Sequence, residues 1–353
     1  MGPVNSRDRV RLALTCQRPD RIPKTLAFWE ESLPAIAPVM PADYFGLDVR
    51  FAEFEPPPGQ DDFLRYLEQL PPDVYVGNLA QLKTYHAWDY HPETGPLQRL
   101  SAARTLAELA GAAFPRPADP DRYAGLAAQV EAWHRQGRAV AGGPPHLGGE
   151  LFETAYRLRG FEEFVLDLAA RHSIAYYLLD QLTAALIQNA VILAQAGVDV
   201  LLLDDDVAMP TGLIVGPATW REFFKPRLAK IIRLAREAAP DLIVFYHSDG
   251  DFTRLISDLL EIGVNVINPL QPDCMDAAAI KREFGDRLAL WGTVGTAALW
   301  DHGTPDQIRA EVKRRIESLG PEGLLLAPAY DLDFAPFANV VAFCEAVDEY
   351  GRL

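Results

Sequence analysis

Cysteine, methionine and positive charge are all scarce in this chain. Three cysteines occur in 353 residues (Cys16, Cys274 and Cys344), far apart and without a CxxC. That spacing excludes a disulfide framework and a zinc knuckle, and a reducing cytoplasm is the expected address. Lys and Arg total 33 against 49 Asp and Glu, a formal charge of −16, with a sequence pI near 4.9. Such a surface repels phosphate backbones and anionic lipid, so neither nucleic-acid nor membrane partners are expected. The strongly apolar stretches are short and interrupted by Asp, Gln or Gly, so no bilayer span is expected. The first residues, Met1 to Asp8, carry neither an apolar signal core nor an Arg-rich transit pattern. What is plentiful is core material, with 49% hydrophobic residues. At about 150 residues per domain the length suggests two domains, but an α/β barrel of this size is routinely one.

One phrase recurs along the chain. A helical stretch ends in Gly and an apolar run follows at once, at Gly137, Gly197, Gly263, Gly285 and Gly320. A glycine after the last helical turn closes the helix in the left-handed region and frees the chain to enter a strand. The runs are apolar on nearly every residue, as in a parallel sheet covered on both faces. Ile22 to Phe28, Val74 to Asn78 and Leu242 to Tyr246 join them, giving eight strands alternating with helices. The expectation is one (β/α)8 TIM barrel spanning 1–353, with strands ending near Phe28, Asn78, Gly142, Leu203, Tyr246, Ile267, Trp291 and Ala327. An amphipathic N-terminal helix from Ser6 should cover the barrel entrance. Met40 to Pro72 reads as an insertion after strand one. Phe161 to Ala196 should break near His172-Ser173, Pro226 should kink or end a helix, and Cys344 should be buried in the closing helix.

In such a barrel the chemistry sits just after each strand. Those positions hold Trp29, Glu30 and Glu31; Asn78, Gln81, His86 and His91; His146 and Glu150; Asp204, Asp205 and Asp206; His247 and Asp249; Asn268, Gln271, Asp273 and Cys274; and Tyr330 and Asp331. His247 and Asp249, two apart, point to the same side. They suit either a divalent metal or an imidazole general base oriented by a carboxylate; a hydrogen-bonded loop histidine beside an Asp-Gly turn is the plainer alternative. Alternation sends Asp204 and Asp206 to one side and Asp205 to the other. Acids this close raise each other's pKa unless a cation or donors compensate.

The stretches GVDVLLLDDDVAMPTGLIVGPATWREFFKPRL, IVFYHSDGDF, VINPLQP, KREFGDRLALWGTV and LLLAPAYDL, with the opening SRDRVRLAL and the middle FETAYRLRGFEEF, resemble the uroporphyrinogen decarboxylase superfamily. The resemblance covers about three quarters of the chain. It implies a (β/α)8 barrel and either decarboxylation or zinc-dependent methyl transfer between corrinoids and thiols. The decarboxylase branch carries two arginines after strand one, where this chain has Trp29-Glu30-Glu31. The methyltransferase branch carries His-x-Cys after strand five and a second Cys after strand eight. Here His247 matches, but Asp249 and Tyr330 stand in the thiolate positions; Cys274 is a distant substitute.

The leading expectation is therefore a metal-assisted methyl (one-carbon) transferase acting on a small molecule. Zinc or another divalent ion would sit on His247 and Asp249, with Asp206 and Tyr330 as further catalytic groups. Trp29, Glu30, Asn78, His146, Asp204, Asn268 and Gln271 would face the substrate, and a corrinoid protein would serve as methyl donor or acceptor. A homodimer fits the resemblance. The alternatives are a metal-free decarboxylase or lyase, with Arg157 and Arg159 as cationic partners, and a catalytically silent ligand-binding barrel. One outcome follows from charge alone: uroporphyrinogen, with eight carboxylates, should not be decarboxylated. A like-charge contact at about 4 Å costs about 1 kcal/mol in water and several-fold more in a partly desolvated pocket. Anaerobic incubation with uroporphyrinogen should give no coproporphyrinogen by chromatography; formation at a rate comparable with an authentic decarboxylase would refute the acidic-pocket reading.

Overall fold

The computed structural model describes residues 4–29, 33–55, 100–112, 114, 116–146 and 148–353. At its centre is a seven-stranded sheet of β1 (Val49–Ala52), β2 (Ala139–Gly142), β3 (Val200–Asp204), β4 (Ile243–His247), β5 (Val266–Asn268), β6 (Ala289–Trp291) and β7 (Leu324–Leu325), in that spatial order. Every neighbouring pair is parallel. Residues 22–28 join the two edges. Lys24 bridges Leu326 in parallel, and Leu326 N–H donates to Pro23 O at 3.0 Å; on the other side Asp48 N–H donates to Lys24 O at 3.0 Å. The ring is the expected barrel, with residues 22–28 as its first strand.

The second barrel position departs from the sequence reading. Val74–Asn78 lies outside the described residues, and the place beside β2 is taken by Val49–Ala52, inside the stretch read as an insertion. Its brevity and its central Arg50 hide it. Alternation sends Val49 and Phe51 into the barrel interior. Arg50 turns away to donate to Asp43 at 2.7 Å and to Leu47 O at 3.2 Å. The stretch Met40 to Pro72 thus holds the second strand itself, and the next strand begins at Ala139.

Helix boundaries follow local chemistry. Phe161–Ala169 and Ser173–Ala196 are separate helices, His172 capping the second by accepting from Ile174 N–H. Pro217–Phe223 ends just before Lys225–Ala238, whose second residue is Pro226. Gly197 closes its helix at φ 92°, whereas Gly285 follows its helix at φ −67° and needs no glycine freedom. The 24-residue helix Ser173–Ala196 is long and apolar enough, by length and composition, to cross a membrane, which the sequence reading did not anticipate; 56% of its most apolar window is buried inside the protein. Its buried positions (Ile174, Leu178, Leu182, Ala185, Leu186 and Leu193 among them) recur at helical spacing. Cys344 is buried in Phe337–Tyr350.

The interior of the barrel is filled by alternate strand residues, including Val49, Ala139, Val200, Ile243, Val266, Ala289 and Leu325, with Phe51, Leu202, Phe245 and Trp291 above them. Helix α1 (Ser6–Leu14) closes the N-terminal end, placing Val10 and Leu14 in this same cluster. Two carboxylates bind it there. Asp48, fully buried, accepts from Ser6 Oγ (2.8 Å), Arg9 Nη1 (2.9 Å), Arg21 Nη2 (2.8 Å) and Lys24 N–H (3.0 Å). Asp199 accepts from Arg7 Nε (2.8 Å) and Val140 N–H (3.0 Å), with His134 Nε2 at 2.9 Å. Removing one partner of a buried ion pair typically costs about 3–5 kcal/mol. Asp48→Ala should lower stability to denaturant by about that amount, and Asp48→Asn by less; an unchanged unfolding midpoint for Asp48→Ala would show that α1 is held by apolar contact alone.

Candidate functional site

The inward parity of the strands carries on to their C-terminal ends. Asp204 continues Val200 and Leu202, His247 continues Ile243 and Phe245, and Asn268 continues Val266, so these three polar side chains form the next layer above the apolar interior. Asp204 pairs with His247, and His247 with Asn268, in the strand register.

His247 is fixed by its neighbour. Asn268 Nδ2 donates to Trp291 O at 2.8 Å, which turns its Oδ1 toward His247 Nδ1 at 2.6 Å. An amide oxygen only accepts, so Nδ1 carries the proton and Nε2 presents its lone pair outward. Around Nε2 stand three carboxylate oxygens, of Asp206 at 3.6 Å, Asp204 at 3.8 Å and Asp249 at 3.9 Å. The arrangement grades from floor to mouth. Asp204 and His247 side chains are 13% and 12% exposed, Asp206 and Asp249 38% and 51%. Phe28 stacks on the imidazole with ring centroids 4.3 Å apart.

Each acid is held by donors. Asp206 Oδ1 accepts from Asp249 N–H at 2.6 Å, and Gln271 Nε2 donates to Asp249 Oδ1 at 2.9 Å while its own Oε1 takes Gly250 N–H at 2.8 Å. Asp205, on the opposite parity as expected, accepts from the N–H groups of Phe152 (2.9 Å) and Glu153 (3.0 Å) at the start of the helix Phe152–Arg159. His146 accepts Gly148 N–H on Nδ1 at 3.1 Å, so its proton sits on Nε2, 3.9 Å from Asp204. Burial pulls the His146 pKa down to about 3, keeping it neutral.

Two further acids complete the site: Glu150, which the sequence places after a strand without a role, and Glu153, which it does not single out. Glu150, fully buried, accepts from Asp204 N–H through Oε2, while Oε1 has no partner among the described residues. Glu153 Oε2 takes Asp206 N–H at 3.3 Å and its Oε1 takes Arg157 at 3.2 Å. Their signal was faint, a pair of acids three apart on a loop-to-helix junction. Burial, reinforced by neighbouring carboxylates, raises the pKa of Glu150, Asp204 and Asp249 well above normal. Glu153 is pushed up to about 8 by burial and Asp206, and Asp205 to about 7 by burial against the pull of its backbone donors.

The remaining expected residues divide. Tyr330 donates its hydroxyl to Asp273, and Cys274 donates to Gln271 Oε1 at 3.6 Å, which places Cys274 one link from Asp249. Arg159 is engaged structurally, on Asp167 and on the carbonyls of Leu100 and Ala103. Trp29 meets Phe28 edge-on at 4.5 Å. Glu30, Glu31, Asn78, Gln81, His86 and His91 lie outside the described residues. Among the described residues, Asp204, Asp206 and His247 form the group of ligating side chains whose donor atoms lie within 4.8 Å of one another.

Fold and site define a (β/α)8 barrel with a carboxylate–imidazole centre at the C-terminal ends of its strands. The chain belongs to the uroporphyrinogen decarboxylase (URO-D) family, whose model matches residues 139–350. It is 31% identical over 174 residues to the methylcobamide:CoM methyltransferase MtaA of Methanosarcina barkeri, covering 49% of this chain and 48% of that protein. A uroporphyrinogen decarboxylase of Pelodictyon phaeoclathratiforme is 25% identical over 148 residues, or 42% and 40% of the two chains. The chain thus matches about half the length, or less, of these curated relatives. A solved methyltransferase from Methanosarcina mazei superposes with a TM-score of 0.62 over 98% of this chain and 99% of its own, at 20% identity, which establishes a common fold.

The crowded acids have a measurable consequence. Their folded-state pKa values are raised, so the folded protein holds protons that the unfolded chain releases above about pH 4. Stability from these groups is present below that pH and lost as pH rises through about 7 for Asp205 and about 8 for Glu153. Metal-free protein should therefore melt at progressively lower temperature between pH 5 and 9, and Glu153→Gln should flatten the profile. An identical slope in Glu153→Gln would refute the assignment to Glu153.

Proposed function

We propose that this protein is a methyl (one-carbon) transferase acting on a small molecule, with a divalent cation held by His247 together with Asp206, Asp204 and Asp249. The observation that carries the reading is the fixed tautomer of His247, whose lone pair faces three carboxylate oxygens at 3.6–3.9 Å. Ligand atoms bound at about 2.0–2.2 Å must lie within roughly twice that of one another; the donor atoms of Asp204, Asp206 and His247 lie within 4.8 Å of one another, close to that span. The raised pKa values of Asp204 and Asp249 mark acids that lack a compensating positive charge. Zinc suits the donor set, although one nitrogen and several oxygens are harder than the His/Cys/Cys set of the family's thiolate branch and favour manganese or cobalt more than that set does.

A cation bound there supplies Lewis acidity, polarising the substrate or the accepting nucleophile. The chain's own residues do the positioning. Asn268 holds the imidazole, Gln271 and the Asp249 amide hold two carboxylates, and neutral His146 directs its N–H toward Asp204. Phe28 shields one face of the ring from water. The resemblance to the MtaA proteins supports a corrinoid protein as methyl donor or acceptor. A metal-free lyase is the second reading, favoured by Glu153, which is half protonated near pH 8 and adjoins Asp206.

Elemental analysis after purification without chelator or affinity nickel should find about one divalent ion per chain. It should be absent from His247→Ala and weakened in Asn268→Ala, which frees the ring tautomer; outer partners of this kind typically contribute 10–100-fold in affinity. Affinity should rise with pH, because binding displaces protons from the raised acids. Protein without metal that turns over a carboxylated substrate would replace the transferase reading with the lyase.

A further inference from the structure

A cavity lies beside the cluster and has Asp204 in its lining. Its walls are aromatic, from Phe28, Trp29, Phe51 and Phe54, and Arg122 is also in its lining. Two donors in it are unspent. Arg122 is 8% exposed; its Nε donates to Glu55 O at 2.7 Å, and Glu55 N–H returns a bond to Arg122 O at 2.7 Å. That reciprocal pair fixes the stem, yet Nη1 and Nη2 meet no acceptor among the described residues. Burial lowers the Arg122 pKa, with Asp119 offsetting part of the effect. Trp29 Nε1 is likewise buried without a partner. A buried donor left unpaired, as at Trp29, is costly, and the guanidinium fork of Arg122 matches a carboxylate in particular.

We propose that this cavity binds an aryl carboxylate, with the acid group on Arg122 and the ring against the aromatic walls, in a space whose lining also includes Asp204 of the cluster. The assignment rests on the reading of the cluster as the reacting centre and adds to it the class of substrate. Flat aromatic walls favour a ring over a flexible chain. Phe28 serves both parts, contacting Trp29 on the cavity side and His247 on the other. Glu53 also lines the cavity but is exposed to solvent, which screens its repulsion of an anion. Trp29, Phe51, Phe54 and Arg122 all fall outside residues 139–350, the part matched by the family model.

Titration calorimetry with 4-methoxybenzoate and its neutral isostere 4-methoxybenzamide tests the proposal. Wild-type protein should bind the acid at least tenfold more tightly than the amide. Arg122→Gln should weaken the acid at least tenfold and leave the amide unchanged, and Trp29→Phe should weaken the acid several-fold. If Arg122→Gln fails to fold by circular dichroism, the wild-type acid-to-amide ratio and Trp29→Phe decide. His247→Ala should lose the metal and still bind the acid, whereas wild-type protein that binds the acid but holds no divalent ion would overturn the transferase reading alone. Equal affinity for acid and amide, undiminished acid binding by folded Arg122→Gln, or no binding of the acid by wild type would overturn the cavity assignment.

Discussion

The alternation of side chains along parallel strands governs both the stability and the chemistry of this barrel. Successive residues must face opposite sides, so a strand that sends Val200 and Leu202 inward has no choice about Asp204. The same parity sends His247 inward above Phe245 and Asn268 inward above Val266. Register then sets these three side chains next to one another on adjacent strands. A slip of one residue in β4 would turn His247 into the helix layer and bring Tyr246 into the barrel. The geometry of the site is thus inherited from the ladder that holds the fold.

Electrostatics divides the molecule into two ends. At the N-terminal end, buried Asp48 and Asp199 are matched by arginines from α1 and by backbone donors, and their charge is satisfied. At the C-terminal end, Asp204, Asp206, Asp249, Glu150 and Glu153 crowd together, with Arg157 the cation bound directly to them. One end therefore stabilises the fold, while the other stores unsatisfied charge that protons or a cation must relieve. Barrels commonly divide labour in this way between their two faces.

Much of this was legible in the residues. Gly197 followed by an unbroken apolar run marks a helix giving way to a buried strand, and Asp204-Asp205-Asp206 reads correctly as inward, outward, inward. His247 and Asp249 stand out because few residue types can do chemistry and both follow a strand. The second strand was not legible. Four residues with an arginine in the middle do not look buried, and only the partner strand Ala139–Gly142 reveals that Arg50 faces the outer layer. Glu150 and Glu153 were obscured for a related reason. Their significance comes from Asp204 and Asp206, about fifty positions away, through backbone bonds that no local pattern encodes.

The lock on His247 shows how far such determination reaches. Trp291 O orients the Asn268 amide, Asn268 Oδ1 orients the imidazole, and the imidazole presents its lone pair to the acids. Gly292, at φ 79°, follows Trp291, and a Cβ there would come within 2.6 Å of Asn268 Nδ2. The amide can reach the Trp291 carbonyl only because that position has no side chain and tolerates the left-handed backbone. Three strands, β4, β5 and β6, thus cooperate to hold one proton on Nδ1. Neither a shorter side chain at 268 nor a larger one at 292 would preserve that chain of bonds. The functional centre is specified by a path of hydrogen bonds across the barrel rim as much as by the ligating residues themselves.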